Sequence, residues 1–199
     1  MKQVEEQPQF EASLTEMEFK YSMDDLKMSS FVSFAEGLKP ERELEAASWD
    51  YYYSGEGMPF DFIRFRGGIE PELTIKIKNN ENNNNDRIEI DLPLKAGISQ
   101  WLVSKFVALF GFKENFRIYK HCMIYWFEKV DIVYYTVFNK DMVEVGRRVE
   151  IEARKDYPFK TKQDALDAIV AMEKVMTVIG ISPQKRMKKS NWEQFRVTK

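Results

Sequence analysis

Five stretches of this chain carry charged residues at every second position, a spacing that restricts the fold more than any other feature. Glu16, Glu18 and Lys20 alternate with Met17, Phe19 and Tyr21 in "TEMEFKY", and Arg64 and Arg66 flank Phe65. Lys76 and Lys78 flank Ile77, and Arg87, Glu89 and Asp91 alternate with Ile88 and Ile90. Near the other end Arg148, Glu150, Glu152 and Arg154 alternate with Val149, Ile151 and Ala153. Successive side chains of an extended chain point to opposite faces, so each stretch reads as a strand with one charged and one apolar face.

The segments between them complete the pattern. "WDYYYS", "FDFIRFR", "LTIKIK" and "RIEIDL" are separated by "GEGMP", "GGIEPE" and "NNENNNND", which predicts a meander of antiparallel strands. The polar run "NNENNNND" has nothing to bury and is expected to be a mobile hairpin tip. "NFRIYKHCMIYWFEK", "IVYYTVF" and "RRVEIEARK" are strand-like again. Helices are expected at Ser22 to Leu38, with Ser22 as cap and Asp24 and Asp25 in the first turn, and over "GISQWLVSKFVALFGF". A third runs from Thr161 to Ile179, with a Thr161/Asp164 capping pair and Gly180 past its end. The tail "SPQKRMKKSNWEQF" reads as irregular or weakly helical, and "QKRMKKS" within it as a solvated terminal segment.

The 199 residues suit one domain with a sizeable core, and no Pro-, Gly- or Ser-rich linker or internal repeat divides them. Residues 1–199 are therefore read as a single α+β domain, with flexible ends expected at 1–14 and 190–199. Thirty basic residues nearly balance thirty-two acidic ones, which excludes the bulk positive field of a general nucleic-acid binder. The single Cys122 forms no intrachain disulfide, and "MKQVEEQPQF" lacks the apolar run of a secretory signal, so a cytoplasmic protein is expected. The most apolar long stretch is interrupted by Gln100, Ser104 and Lys105, and no membrane span is expected. His121 and Cys122 have no further Cys or His with which to build a zinc site and read as packing residues. The glycine pairs lack a P-loop context.

For a single strand, the ordinary reading of a charged face is that it lies in water. Taken together, these strands point elsewhere. The middle ones offer Arg-x-Arg and Lys-x-Lys, while the first and last offer Glu-x-Glu. That distribution suggests a polar interior with cations and carboxylates on opposing walls, which is costly unless occupied. A polyanion with hard divalent cations would satisfy both walls. The apolar faces would then point outward, beneath the amphipathic helices.

These residues resemble the CYTH or triphosphate tunnel metalloenzyme superfamily, which includes thiamine and inorganic triphosphatases, class IV adenylate cyclases and some RNA triphosphatases. Glu16, Glu18 and Lys20 match its Glu-x-Glu-x-Lys signature, and Asp50, Tyr52 and Tyr53 its Asp-x-Tyr-aromatic strand. Arg64 with Arg66, Thr74 with Lys76, and Arg87 with Glu89 and Asp91 look like the strands that follow. "LFGF" before Lys120, "VEIEA" with Glu150 and Glu152, and the tail "KKSNWEQF" continue the series. The chain departs from the pattern where Cys122 stands in place of the usual arginine of Lys-x-Arg, where Asp91 replaces a Glu, and where Asp141 matches an expected aspartate one residue out of spacing.

The resemblance implies a closed or nearly closed eight-stranded antiparallel β-tunnel with helices packed outside. It implies a metal-dependent triphosphatase in which Glu16, Glu18, Lys20, Glu150 and Glu152 are catalytic. Glu16, Glu18, Glu89, Glu150 and Glu152 would hold Mg²⁺ or Mn²⁺. Lys20, Arg64, Arg66, Lys76, Lys78, Arg87, Lys120 and Arg148 would bind a small-molecule triphosphate or a triphosphate-ended RNA, in a monomer or homodimer. Two alternatives stay open: a class IV type adenylate cyclase, and a non-catalytic binder of nucleotides, polyphosphate or RNA ends.

Overall fold

The computed structural model describes residues 15–57, 60, 62–68, 70–78 and 86–197, and the side chains at 15, 16, 77, 78 and 86–88 lie outside this description. The expected hairpin tip "NNENNNND" falls almost entirely outside it.

Among the described residues eight strands form a closed antiparallel barrel: β1 (Thr15–Ser22), β2 (Arg42–Ser54), β3 (Phe62–Arg66), β4 (Glu72–Lys78), β5 (Asp86–Pro93), β6 (Lys113–Trp126), β7 (Val130–Phe138) and β8 (Glu144–Ala153). Their order around the barrel is β1-β5-β4-β3-β2-β6-β7-β8. Closure comes from β1, whose start pairs with β5 (Glu16 opposite Arg87) and whose remainder pairs with β8 (Glu18 opposite Glu152, Lys20 opposite Glu150). The expected tunnel is therefore present and has no free sheet edge. No described helix is long and apolar enough to cross a membrane.

Much of the outward face is apolar and covered, whereas Glu43 and Glu45 of β2 and Ile90 and Leu92 of β5 are exposed. Phe19, Tyr21, Tyr125, Ile132, Tyr134, Val149 and Ile151 form one cluster with Phe31 and Ala35 of α1 (Met28–Gly37) and with Ala165 and Ile169 of α3 (Lys162–Val175). Burying each of the larger side chains contributes roughly 1.5–3 kcal/mol. A second cluster packs Tyr53, Ile63, Phe65 and Leu73 beneath Val103 and Val107 of α2 (Gln100–Ala108). A third lies inside the barrel, where Tyr52, Phe62, Ile118, Tyr135 and Val137 surround Trp192.

Several expectations are corrected in detail. α1 begins at Met28; Lys27 precedes it without a side-chain cap, and its first turn holds no acidic residue. Ser22 ends β1 and donates to Asp24, which in turn accepts from the Arg147 backbone N–H, so this segment ties β1 to β8. β2 starts at Arg42, well before the expected Trp49. α3 carries the Thr161/Asp164 capping box but ends at Val175; a 3-10 turn over Met176–Ile179 then leads to Gly180 at φ 84°. The tail holds only short helical turns, as its sequence suggests. Ser190 caps α4 (Asn191–Phe195), whose Trp192 is buried, and Arg186 forms a bridge with Tyr21 and pairs with Glu173.

Candidate functional site

Alternation places the charged faces inside the barrel. The cavity, of about 520 Å³, is lined by Glu18 and Lys20 from β1, by Arg64 and Arg66 from β3, and by Glu72 and Lys76 from β4. Glu89 and Asp91 from β5, Lys120 from β6, and Glu150 and Glu152 from β8 complete the charged lining. Residues widely separated in sequence thus share one chamber because a closed sheet brings all its inner faces together.

The basic wall is held by carboxylates. Arg64 Nη2 lies 3.0 Å from Glu72 and 3.5 Å from Glu89, and donates to Thr74 Oγ1 at 2.9 Å. Arg66 lies 3.1 Å from Asp50 and 3.2 Å from Glu72. Lys120 reaches Asp50 at 2.8 Å, and Lys76 reaches Glu89 at 3.0 Å. Burial works against ionisation of Asp50, yet Lys120, Arg66 and Arg64 outweigh it and hold its carboxyl far below the ordinary range. Burial likewise opposes the charge on Arg64, and Asp50, Glu89 and Glu72 overcome it. Arg64 Nε is buried with no hydrogen-bond partner, so a donor is left over on this wall.

On the opposite side Lys20 Nζ lies 2.6 Å from Glu150 and 3.2 Å from Glu18, and the Tyr135 hydroxyl donates to Glu150 at 2.7 Å. Burial would raise the Glu150 pKa, but Lys20, Lys120 and the hydrogen bonds from Lys20 and Tyr135 bring it down to about 2. The same carboxylate, after burial itself, drives the Tyr135 hydroxyl well above its usual range, so that phenol stays protonated.

The site residues anticipated from the sequence converge with few exceptions. Glu18, Lys20, Arg64, Arg66, Lys76, Glu89, Lys120, Glu150 and Glu152 all line the chamber. Glu16 and Arg87 are register partners across β1 and β5, and Lys78 pairs with Arg87, but the side chains of all three lie outside the described set. Arg148 sits apart, 2% exposed and donating to Gln194 Oε1 at 2.8 Å, so it secures α4. Asp141 lies exposed in the turn between β7 and β8, away from the lumen. Asp131 and Tyr135 of β7 line the chamber and were not anticipated, although alternation along "DIVYYTVF" puts Asp131, Val133 and Tyr135 on one face. Lys155, just past β8, was also missed; it reaches Glu89 at 2.9 Å and Asp91 at 3.2 Å.

One end of the chamber is blocked. Trp192 stacks on Phe62 and Phe116, with ring centroids 5.1 and 5.7 Å apart, and Ser190, Asn191 and Trp192 form the floor. Among the described residues this end of the lumen is filled by side chains.

Carboxylate oxygens are hard donors suited to Mg²⁺ or Mn²⁺. Glu18 and Glu150 already share one cation, the Lys20 ammonium, and Glu152 stands opposite Glu18. Among the described residues no group of three or more His, Cys, Asp or Glu is placed to hold a metal ion. The Glu16 side chain lies outside the described set, so this holds for Glu18, Glu150 and Glu152 without it.

No protein-family model matches the chain, and no curated protein matches its sequence. Solved structures do match its fold. A conserved hypothetical protein from Pyrococcus furiosus superposes with a TM-score of 0.70 at 23% identity, over 89% of this chain and 98% of its own. A putative adenylate cyclase from Vibrio parahaemolyticus gives 0.62 at 11% identity over 89% and 95%. A chain of the Schizosaccharomyces pombe Mediator head module gives 0.60 at 11% over 83% and 94%. The molecule has the tunnel architecture: an antiparallel barrel closed around a charged lumen. These solved structures share that fold with this chain.

Proposed function

We propose that this protein is a metal-dependent triphosphatase that hydrolyses the terminal phosphate of a linear triphosphate held inside the tunnel. The observation that carries the reading is the gathering in one chamber of the cations Arg64, Arg66, Lys76 and Lys120 with the carboxylates Glu18, Glu150 and Glu152.

A triphosphate entering the mouth would draw the basic side chains from their carboxylate partners onto phosphate oxygens. Arg64 would contribute the Nε donor that is unpartnered now. Lys20, held by Glu18 and Glu150, is positioned to stabilise charge on the transferring group. Glu18, Glu150 and Glu152, with Glu16 and Glu89, would hold Mg²⁺ or Mn²⁺. When bound, such an ion neutralises the triphosphate and acidifies an attacking water. The depressed pKa of Glu150 keeps that carboxylate available for a cation across the neutral range, and Tyr135 fixes its orientation. In-line transfer to water then yields orthophosphate and the diphosphate.

A second reading is favoured by the structural likeness to the Vibrio parahaemolyticus protein. The same walls could hold ATP so that its ribose hydroxyl attacks the α-phosphorus, releasing pyrophosphate and cyclic AMP.

Product analysis separates these outcomes, using tripolyphosphate, thiamine triphosphate, ATP and triphosphate-ended RNA with Mg²⁺, with Mn²⁺ and with chelator. Orthophosphate that disappears with chelator is the expected result. Pyrophosphate with cyclic AMP would transfer the protein to the cyclases, and binding without turnover would make the tunnel a receptor.

A further inference from the structure

α2 buries one side and leaves another bare. Val103 and Val107 pack down onto the second cluster, and Ser104 and Gln100 meet the Tyr53 hydroxyl at 2.9 and 3.4 Å. The far side carries Trp101, Leu102 and Phe106, which are 65%, 51% and 52% exposed. Leu109 and Phe110 extend it past the last turn and are 82% and 62% exposed. Five large apolar side chains bared to this degree amount to roughly 600 Å², at the upper end for the largest apolar patch of a soluble monomer. None of the five belongs to the three packed clusters, so the barrel does not depend on them.

The charge around this patch has one sign. From Leu92 to Lys113 the chain holds Lys95, Lys105 and Lys113, all exposed, and no carboxylate. The acids that flank the segment are engaged elsewhere: Asp91 takes Lys155 at 3.2 Å, and Glu114 lies 3.4 Å from Gln100. Lys105 rises among the apolar side chains, its Nζ 5.8 Å from the centre of the Trp101 ring, and the Phe106 and Phe110 rings pack edge to face at 5.3 Å. Trp, Phe and Leu set around lysines suit the depth at which a bilayer passes from hydrocarbon to phosphate, because the lysine stems lie along the hydrocarbon while their ammonium groups reach anionic headgroups. A second copy of the chain is the poorer occupant. Two-fold pairing of this face would turn the lysines toward their own copies, with no carboxylate of the segment to meet them.

We propose that α2 docks the protein on the surface of an anionic phospholipid bilayer. Trp101, Leu102, Phe106, Leu109 and Phe110 enter the acyl boundary, and Lys95, Lys105 and Lys113 contact the headgroups. With nine residues the helix lies along the surface and does not span. The docking does not depend on what fills the lumen.

Flotation of the full chain at physiological salt, with phosphatidylcholine vesicles that contain or lack phosphatidylserine, tests it. Phosphatidylserine is expected to raise binding at least about tenfold, and Leu109→Ser and Lys105→Glu should each lower it by about fivefold or more. Substitutions at positions this exposed leave the fold intact; thermal unfolding confirms it, and Trp101→Ser replaces either variant that is unfolded. No flotation, equal flotation with both vesicles, or flotation untouched by the variants overturns the proposal. Light scattering without vesicles checks the other occupant: a dimer that Leu109→Ser dissociates would assign the face to a second copy and likewise overturn it.

Discussion

Glu150 shows how one side chain is tuned by its neighbours. An ordinary glutamate titrates near 4.5, whereas Lys20 and Lys120 overcome the effect of burial and hold Glu150 near 2. Because the folded-state pKa is depressed, the stabilisation it brings is fully present above about 4.5 and is lost as pH falls toward about 2. Glu150→Gln should flatten the fall in urea midpoint across that window and lower metal-dependent kcat by at least about 100-fold, an effect of the size seen when a preorganised charge is removed. Full activity in that variant would remove Glu150 from the metal site. Asp131 behaves oppositely: burial, only partly offset by Arg154, raises its pKa to about 6. Its carboxylate therefore destabilises the fold increasingly as pH rises from about 4 to 6. Asp131→Asn should raise stability at pH 7 by about 1 kcal/mol after allowance for solvent screening, and a urea titration at pH 7 and at pH 4 should show the gain only at the higher pH.

At the scale of elements, legibility followed periodicity. β1, β3, β4, β5 and β8 announced themselves because charge alternates with apolar side chains on every one of them. The first half of β2, "RELEAAS", did not, since its inward residues Leu44 and Ala46 face a cavity and its outward Glu43 and Glu45 face water, leaving no buried face to mark it. α1 was started too early because Ser22 and the two aspartates make a plausible cap, whereas tertiary pairing keeps Ser22 in β1 and uses Asp24 to hold the Arg147 backbone. α4 is only five residues long, too short for any helical period to show; its order comes from Ser190 capping and from the burial of Trp192. Trp192→Ala should therefore cost about 3–5 kcal/mol, the usual range for deleting a packed tryptophan. Chemical denaturation would measure the loss, and no change in midpoint would show that the helix does not hold this end of the barrel shut.

For the molecule as a whole, the closure of the sheet was legible because charged faces at both ends of the chain required a shared interior. Most of the candidate site followed from it. Lys155 did not, because it lies beyond the last alternating stretch and reaches Glu89 and Asp91 from a loop. The lumen-lining Leu44, Ile124 and Val133 were hidden for a related reason: an inward-facing Leu, Ile or Val looks, in one dimension, like any core residue. The floor formed by Ser190, Asn191 and Trp192 has a kinetic consequence. In a chamber with one door the departures are queued, and the fragment nearest the floor cannot leave before the one nearest the mouth. If the terminal phosphate enters first, the diphosphate must exit before orthophosphate, which then occupies the emptied enzyme. Orthophosphate should accordingly inhibit competitively against substrate and the diphosphate should not, a pattern that initial-rate product-inhibition measurements would reveal and that a tunnel open at both ends would have no reason to obey.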